Sequence, residues 1–129
     1  MSDTTVIIPA SSSTKKVEVM FSMFPDGDLH CVIPKPKLIR GKPTLIVHRL
    51  YPNQNQRLVQ LLLLVDLLKD LGARSIEVFC PYLPYSRQDV RHLPGEAIGS
   101  SALCRVLALA GCKRLYTLDC HFMRGDEED

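Results

Sequence analysis

Three short apolar segments separated by two helical stretches constrain the fold of this chain more than any other feature. The first, Thr44–His48, is a β-branched run typical of a strand covered on both faces. Arg74–Cys80 and Arg114–His121 are the other two strand candidates. Residues 53–71 and 97–110 lie between them and predict helices. This alternation predicts an α/β fold with a parallel sheet flanked by helices, joined by right-handed crossovers.

The helix predicted between residues 53 and 71 is apolar on two sides. Asn53 and Asn55 are both candidate N-caps, and Gly72 stands at the position expected for the C-cap. A helix with two apolar sides is covered on two sides, so we expect the sheet on one and a second subunit or a further domain on the other. The first side carries Leu58, Leu61, Leu62, Val65 and Leu68, and the second carries Leu63, Leu64, Leu67 and Leu71.

The residues before Thr44 predict a short strand and a β-hairpin. Thr4–Ile8 is an apolar run ended by Pro9. Residues 17–33 alternate weakly around Phe24-Pro-Asp-Gly-Asp28, where the positions of proline and glycine indicate a turn. We therefore expect a small β-hairpin with an acidic tip.

Length and composition indicate one globular domain of 129 residues. We expect its ordered core at about residues 17–121, followed by an acidic tail at 122–129. The net charge is only +2, with basic and acidic residues interspersed, which argues against a nucleic-acid partner. The longest apolar run, Leu61–Val65, is too short to cross a membrane. Five cysteines without a C-x-x-C pair indicate buried thiols in a reducing compartment, so we expect a cytoplasmic protein.

The stretch Pro81–His92 follows a predicted buried strand and has no hydrophobic period. Its two prolines end the strand, and it then offers Arg87, Gln88 and Asp89. Polar groups just past the carboxyl end of a buried strand are where α/β sheets bind ligands. The planar guanidinium of Arg87 matches the geometry of phosphate oxygens. A solvated charged turn is the alternative interpretation.

The end of the last predicted strand adds two polar side chains to the same edge of the sheet. Asp119 and His121 are two residues apart, so both side chains point to one face. With Arg87 and the amino end of the helix that starts near Asn53, they suit a metal-bound polyphosphate. Mg²⁺ prefers oxygen ligands, so His121 is either an unusual direct ligand or a phosphate contact. When Asp119 is considered alone, an equally good interpretation is that it is a capping carboxylate.

Five segments of the chain carry a family resemblance: Phe24–Asp28, Asn53–Leu64, Pro81–Asp89, Pro94–Ile98 and Thr117–His121. In order and spacing they resemble the N-terminal half of ribose-phosphate pyrophosphokinase, the phosphoribosyl pyrophosphate (PRPP) synthetase, in its archaeal-type branch. The resemblance implies a phosphoribosyltransferase-like fold. It also implies transfer of the β,γ-diphosphate of ATP to ribose 5-phosphate with Mg²⁺, giving PRPP and AMP.

The resemblance implies roles for individual residues. Those matching the turn that contacts the adenine of ATP, often from a neighbouring subunit, are Phe24, Asp26, Gly27 and Asp28. Arg87 and Gln88 match the ATP-binding pair of the central loop. His121 matches the histidine of the Mg-ATP site, and Asp119 its acidic neighbour. Gly99 departs from the pattern, since the family usually has serine there.

The resemblance covers only the family's N-terminal half. The loop for ribose 5-phosphate and the catalytic lysine and arginine belong to the other half. We therefore expect a chain that binds ATP, is inactive alone, uses ribose 5-phosphate only when the missing half is supplied, and forms a homo-oligomer or associates with a full-length homologue. The alternative is a non-catalytic nucleotide-binding or assembly module that associates with full-length PRPP synthetase. A phosphoribosyltransferase is disfavoured, because the acidic PRPP-binding loop is nowhere in the sequence.

Overall fold

The computed structural model describes residues 5–10, 16–85 and 87–118, which form a four-stranded sheet, a separate β-hairpin and two α-helices. The strands are β1 (Val6–Pro9), β2 (Met20–Met23), β3 (Leu29–Val32), β4 (Pro43–Val47), β5 (Ser75–Phe79) and β6 (Arg114–Tyr116), and the helices are α1 (Gln54–Asp70) and α2 (Gly99–Ala110). The chain order β4–α1–β5–α2–β6 confirms the predicted alternation of strands and helices.

The sheet has the strand order β1-β4-β5-β6. β4, β5 and β6 are parallel, whereas β1 pairs antiparallel with β4, with Ile7 opposite Ile46. Two right-handed crossovers running in the same direction place both helices on one face, and α1 and α2 do contact each other. Burial alternates accordingly: Ile46 and Val78 are fully buried, while their neighbours Leu45 and Glu77 are partly exposed.

The hydrophobic core lies between this sheet and α1. It includes Ile7 of β1, Ile46 of β4 and Leu68 of α1, all completely buried. Because Ile7 belongs to it, the core begins before residue 17, its expected start. The sheet pairing explains this: β1 is short, but it hydrogen-bonds along its whole length to β4.

The burial of helix α1 differs from what its apolar pattern predicts. We expect another subunit or domain to cover its second side, but residues of that side are already buried within this chain. Leu64 on the second side is 0% exposed, like Leu61 on the first. The helix contacts β5, β3 and α2, so the hairpin and the second helix supply that cover within the chain. Leu63 remains 38% exposed. The apolar pattern showed that two sides are buried but carried no information on what buries them.

The predicted hairpin is confirmed as β2 and β3, which pair antiparallel with Met20 opposite Val32. The amide of Phe24 donates to the carbonyl of Asp28 (2.7 Å), and the amide of Gly27 donates to the carbonyl of Phe24 (2.8 Å). Gly27 has a φ of 98°, which side chains disfavour, so this turn needs a glycine here. The acidic tip therefore forms as the sequence predicted.

The last strand is shorter and less buried than predicted. The sequence predicts a core strand over Arg114–His121, but β6 spans three residues at the sheet edge, and Tyr116 is 43% exposed. Residues 119–121 lie outside the described part of the chain. Within that part no strand pairs with the outer side of β6, which explains its exposure. Nor is any helix of that part long and apolar enough to cross a membrane.

The described cysteines, Cys31, Cys80, Cys104 and Cys112, are all free thiols. Cys80 is completely buried, and its burial raises the pKa of this thiol to about 12. Burial likewise raises the pKa of Cys31 to about 11. These two side chains therefore stay protonated at neutral pH and behave as small apolar groups, as the sequence suggested. Cys120 lies outside the described residues.

Candidate functional site

The carboxyl ends of β4, β5 and β6 lie level with one another. The amide of His48 donates to the carbonyl of Phe79 (3.1 Å), and the amide of Cys80 donates to the carbonyl of Tyr116 (2.8 Å). Two loops leave this edge, residues 48–53 towards α1 and residues 80–98 towards α2. The structure thus places the predicted site segments where parallel α/β sheets bind ligands.

The amino end of α1 forms one wall of this edge. Asn53 is the N-cap residue, with a φ of 63°, but its side chain makes no capping hydrogen bond. Asn55 lies inside the first turn, where its Oδ1 accepts a hydrogen bond from the Tyr85 hydroxyl of the other loop. An open cavity of about 450 Å³ lies here, lined by Asn53, Gln54, Asn55, Gln56 and Tyr85. Neither predicted asparagine thus caps the helix through its side chain, and Asn55 instead links the first turn of α1 to the loop between β5 and α2.

His48 is a buried polar residue behind this wall that the sequence reasoning did not single out. Its Nε2 lies 2.9 Å from the carbonyl oxygen of Arg57, and its Nδ1 lies 2.8 Å from the hydroxyl of Thr5. A carbonyl only accepts, so Nε2 carries the proton and Nδ1 accepts from Thr5. Burial lowers the pKa of His48 to about 4, so the ring is neutral at neutral pH. The imidazole thereby joins β1, the end of β4 and the first turn of α1.

The loop between β5 and α2 is anchored to the amino end of α2 through Gln88. The Gln88 carbonyl accepts hydrogen bonds from the Ser100 amide (3.2 Å) and the Ser100 hydroxyl (3.1 Å). The N-cap residue of α2, Ile98, has no capping side chain, so this carbonyl satisfies one of the free amides of the helix. Arg87, next to Gln88, is exposed to solvent at this edge.

The second arginine of the loop has a different role. The Arg91 Nε donates to the carbonyl of Glu96 (2.7 Å). The Glu96 carboxylate accepts from the amides of His92 (2.8 Å) and Leu93 (3.2 Å), and these two bonds lower its pKa. Arg91 therefore helps to close a local turn, which leaves Arg87 as the better candidate for a phosphate contact.

The hairpin tip is organised by its own contacts. Asp26 accepts a hydrogen bond from the Asp28 amide (3.0 Å), and the ring of Phe24 lies 5.2 Å from that of His30. Among the described residues, no hydrogen bond, ion pair or ring contact is found between this tip and Arg87 or Gln88. The adenine-binding role expected of Phe24, Asp26, Gly27 and Asp28 stays a prediction.

A metal site is not formed by the residues that the structure describes, since they contain no group of three His, Cys, Asp or Glu side chains that could hold an ion. The described residues therefore offer no all-protein cage for an ion, and Mg²⁺ that accompanies a polyphosphate does not need one, since one or two carboxylates, waters and phosphate oxygens hold it. Asp119 and His121, the residues predicted at the Mg-ATP site, lie outside the described ranges, so that prediction stays open.

Comparisons with known proteins identify the family. The sequence profile of the N-terminal domain of ribose phosphate pyrophosphokinase matches residues 5–111. Ribose-phosphate pyrophosphokinase of Sulfolobus acidocaldarius is 33% identical over 108 residues, 84% of this chain and 36% of that protein. Its counterpart in Sulfurisphaera tokodaii is 36% identical over 109 residues, 84% of this chain and 37% of that protein.

A solved structure gives the same result for the fold. The phosphoribosylpyrophosphate synthetase of Mycobacterium smegmatis matches with a TM-score of 0.78 and 26% identity, over 84% of this chain and 36% of that one. The chain thus spans little more than a third of the length of these relatives, 36% for the first. From the profile match and these identities, we conclude that the chain belongs to the family of the N-terminal domain of ribose phosphate pyrophosphokinase.

Proposed function

We propose that this chain supplies the nucleotide-binding part of a ribose-phosphate diphosphokinase, which transfers a diphosphate from ATP to ribose 5-phosphate and forms PRPP and AMP. The named relatives support the reaction class. Since the chain matches only about a third of their length, we propose that the site for ribose 5-phosphate comes from a C-terminal half. The chain alone is then inactive, because the acceptor must be held in line with the leaving group.

The observation that carries this proposal is the way the β5–α2 loop is held at the sheet edge. Tyr85 bonds to Asn55 of α1, and Gln88 bonds to Ser100 of α2. Between these anchors, Arg87 is exposed near the amino ends of two helices. Helix amino ends and guanidinium groups both favour anions. The arrangement therefore suits a polyphosphate, whose transfer depends on positioning and charge neutralisation.

Mg²⁺ fits this proposal as the ion that accompanies ATP. When bound, it would neutralise charge on the phosphate oxygens. Asp119 has the carboxylate oxygen that Mg²⁺ prefers, and His121 is proposed as a direct ligand or as a phosphate contact. The support for both residues is their place in the sequence, two positions apart just after β6.

We also propose that the hairpin tip contributes to nucleotide binding in a neighbouring subunit. Phe24 is 48% exposed, so its ring has an open side on which an adenine could stack. Among the described residues no hydrogen bond, ion pair or ring contact joins the tip to Arg87, which fits a tip that serves another copy. The chain would then act as a homo-oligomer or together with a full-length homologue.

Replacing Arg87 with alanine is expected to weaken ATP binding by about 1.5–3 kcal/mol, roughly 10- to 150-fold, if the guanidinium makes charge-assisted bonds to phosphate. Isothermal titration calorimetry of the wild type and the Arg87→Ala variant measures this difference. Arg74→Ala is the matched control, because Arg74 is also exposed but precedes β5, at the opposite edge of the sheet. Equal affinities of wild type and Arg87→Ala would contradict the proposed phosphate contact.

Assembly through the outer face of the hairpin is expected, since this face carries exposed apolar side chains. Met20 is 60% exposed, and Val32, directly opposite it in the hairpin, is 39% exposed. Clusters of this kind mark interaction surfaces. In sedimentation velocity at micromolar concentrations we expect oligomers that the double substitution Met20→Ser with Val32→Ser disrupts. Leu109→Ser, which changes an exposed leucine on α2 instead of the hairpin, should leave assembly intact. A monomeric wild type would refute the prediction.

A further inference from the structure

The first turn of α1 lies at the candidate site without a side-chain cap of its own. Asn53 stands at the N-cap position but makes no capping hydrogen bond, and the turn contains no acidic side chain. The side chain of Asn55 is engaged with Tyr85 of the other loop. Helix ends fray readily, because their first four amides have no partner inside the helix. Another contact must therefore hold this turn, which lines the cavity at the carboxyl edge of the sheet.

Arg57 joins the first turn to both ends of the loop that precedes it. Its amide donates to the carbonyl of Asn53 (3.0 Å), and its side-chain Nε donates to the carbonyl of Pro52 (2.9 Å). Its own carbonyl lies 2.9 Å from Nε2 of His48, which donates to it. The beginning and the end of the loop at residues 48–53 therefore meet at Arg57.

His48 is a rigid anchor for this contact. The residue is completely buried, and its Nδ1 accepts a hydrogen bond from the hydroxyl of Thr5 (2.8 Å). Its ring lies 6.2 Å from the ring of Phe21 in the hairpin, and its backbone amide donates to the carbonyl of Phe79 in β5 (3.1 Å). The imidazole cannot turn without breaking the bonds at both nitrogens and leaving buried polar groups unpaired. It therefore links the position of the sheet to that of α1.

We propose that His48 is a positioning residue of the proposed nucleotide site: through the Arg57 carbonyl it fixes the first turn of α1 against the sheet and so sets the place of the amino end of this helix. His48 lies behind the cavity and is not among the residues that line it. This inference rests on the proposed function for its effect on ATP binding. Its structural part, the anchoring of the first turn, does not depend on a ligand.

Hydrogen exchange tests the anchoring by comparing the two ends of the same helix. The Arg57 amide bonds to Asn53 near the start of α1, and the Leu71 amide bonds to the Leu67 carbonyl (2.9 Å) at its end. In the His48→Leu variant the protection factor of the Arg57 amide should fall about fivefold, as expected for the loss of roughly one neutral hydrogen bond. The Leu71 amide should keep its wild-type protection. Unchanged protection at Arg57, or an equal fall at both ends, overturns the proposal.

The His48→Gln variant separates the hydrogen bonds from the packing. Glutamine keeps a donor and an acceptor, so it can replace both bonds of the imidazole, whereas leucine fills similar space with no polar atom. Protection of the Arg57 amide in His48→Gln should therefore return to within about twofold of the wild-type value. Equal losses in His48→Gln and His48→Leu would contradict an anchor made by hydrogen bonds.

The Thr5→Val variant decides the question if His48→Leu does not fold. It removes only the hydroxyl that holds Nδ1 and leaves the buried ring in place. Because the ring is then held at one nitrogen, protection of the Arg57 amide should fall about twofold, and that of Leu71 should not change. Wild-type protection at Arg57 in this variant would overturn the proposal.

Isothermal titration calorimetry with ATP measures the effect on binding. Affinity should fall about fivefold in His48→Leu and stay near the wild-type value in His48→Gln. Val78→Ala is the control, because Val78 is also completely buried but lies in the middle of β5, away from the carboxyl edge of the sheet. Wild-type affinity in His48→Leu, or an equal loss in Val78→Ala, overturns the role in binding.

The two readouts separate this inference from the proposed function. If the wild type does not bind ATP, the proposed function fails, and the protection of the Arg57 amide alone then decides the anchoring. A loss of protection in His48→Leu that His48→Gln restores supports the anchoring in either case. Without that loss the inference fails, even if ATP binds to the wild type.

Discussion

Lowering the pH from 6.5 to 4 is expected to remove about 3 kcal/mol from the free energy of unfolding through His48 alone. The pKa of this imidazole falls from 6.5 to about 4, mainly because of burial; the hydrogen bond to the Arg57 carbonyl opposes the change, and the nearby Arg57 charge adds to it. Between these two pH values the unfolded chain binds a proton that the folded chain does not. The free energy of unfolding therefore falls as the pH is lowered through this window, and the loss due to His48 levels off only well below pH 4.

Urea unfolding at several pH values measures this loss, and His48→Gln serves as the comparison. Glutamine keeps a donor and an acceptor but does not titrate, so the difference between the two pH profiles isolates His48 from the carboxylates. His92→Gln is the control, because His92 is exposed. The expectation is contradicted if the wild-type and His48→Gln profiles are parallel, or if the His48 resonance titrates near pH 6.5 by NMR.

Replacing Leu64 with alanine is expected to destabilise the chain by about 2–5 kcal/mol, since the substitution leaves a cavity in a core that relaxes only partly. Leu64 is 0% exposed in a helix that contacts β5, β3 and α2. A loss of this size is a large share of the 5–15 kcal/mol typical of a folded domain. Thermal or urea unfolding measures it.

Leu63→Ala is the matched control for Leu64→Ala, because it makes the same chemical change one residue earlier. Leu63 is 38% exposed, so its loss should cost less than about 1 kcal/mol. Similar losses at the two positions would mean that another subunit covers this side of α1, as the sequence alone had suggested. A large difference supports the cover supplied by β3 and α2.

The order of the elements could be read from the sequence because it depends on local chemistry. The β-branched run at Thr44–His48 favours a strand, and the leucine-rich stretch ending at Gly72 favours a helix, whatever surrounds them. Gly27 likewise indicates its own turn. The register and direction of β1 could not be read, since no crossover helix links β1 to β4 and four-residue strands pair in either direction.

Sequence patterns do not predict which distant residues the site residues bond to. His48 bonds to Thr5 across 43 positions, and Tyr85 bonds to Asn55 across 30. The sequence patterns predict only that His48 belongs to an apolar strand, that Asn55 caps a helix and that Tyr85 lies in a loop. Periodicity reports only which side of an element is buried, and not which distant residue meets it.

The sequence by itself determined that this is an α/β chain whose polar residues gather at the carboxyl edge of a parallel sheet, and that Arg87 and Gln88 stand there. Strand propensity, helical period and turn chemistry suffice for this, because each acts over a few residues. Only the tertiary structure decided that Arg91 closes a local turn, that Tyr85 bonds to Asn55, and that β3 and α2 pack against α1. These depend on close packing between segments far apart in the chain, where distances of a few tenths of an ångström decide which side chain fits.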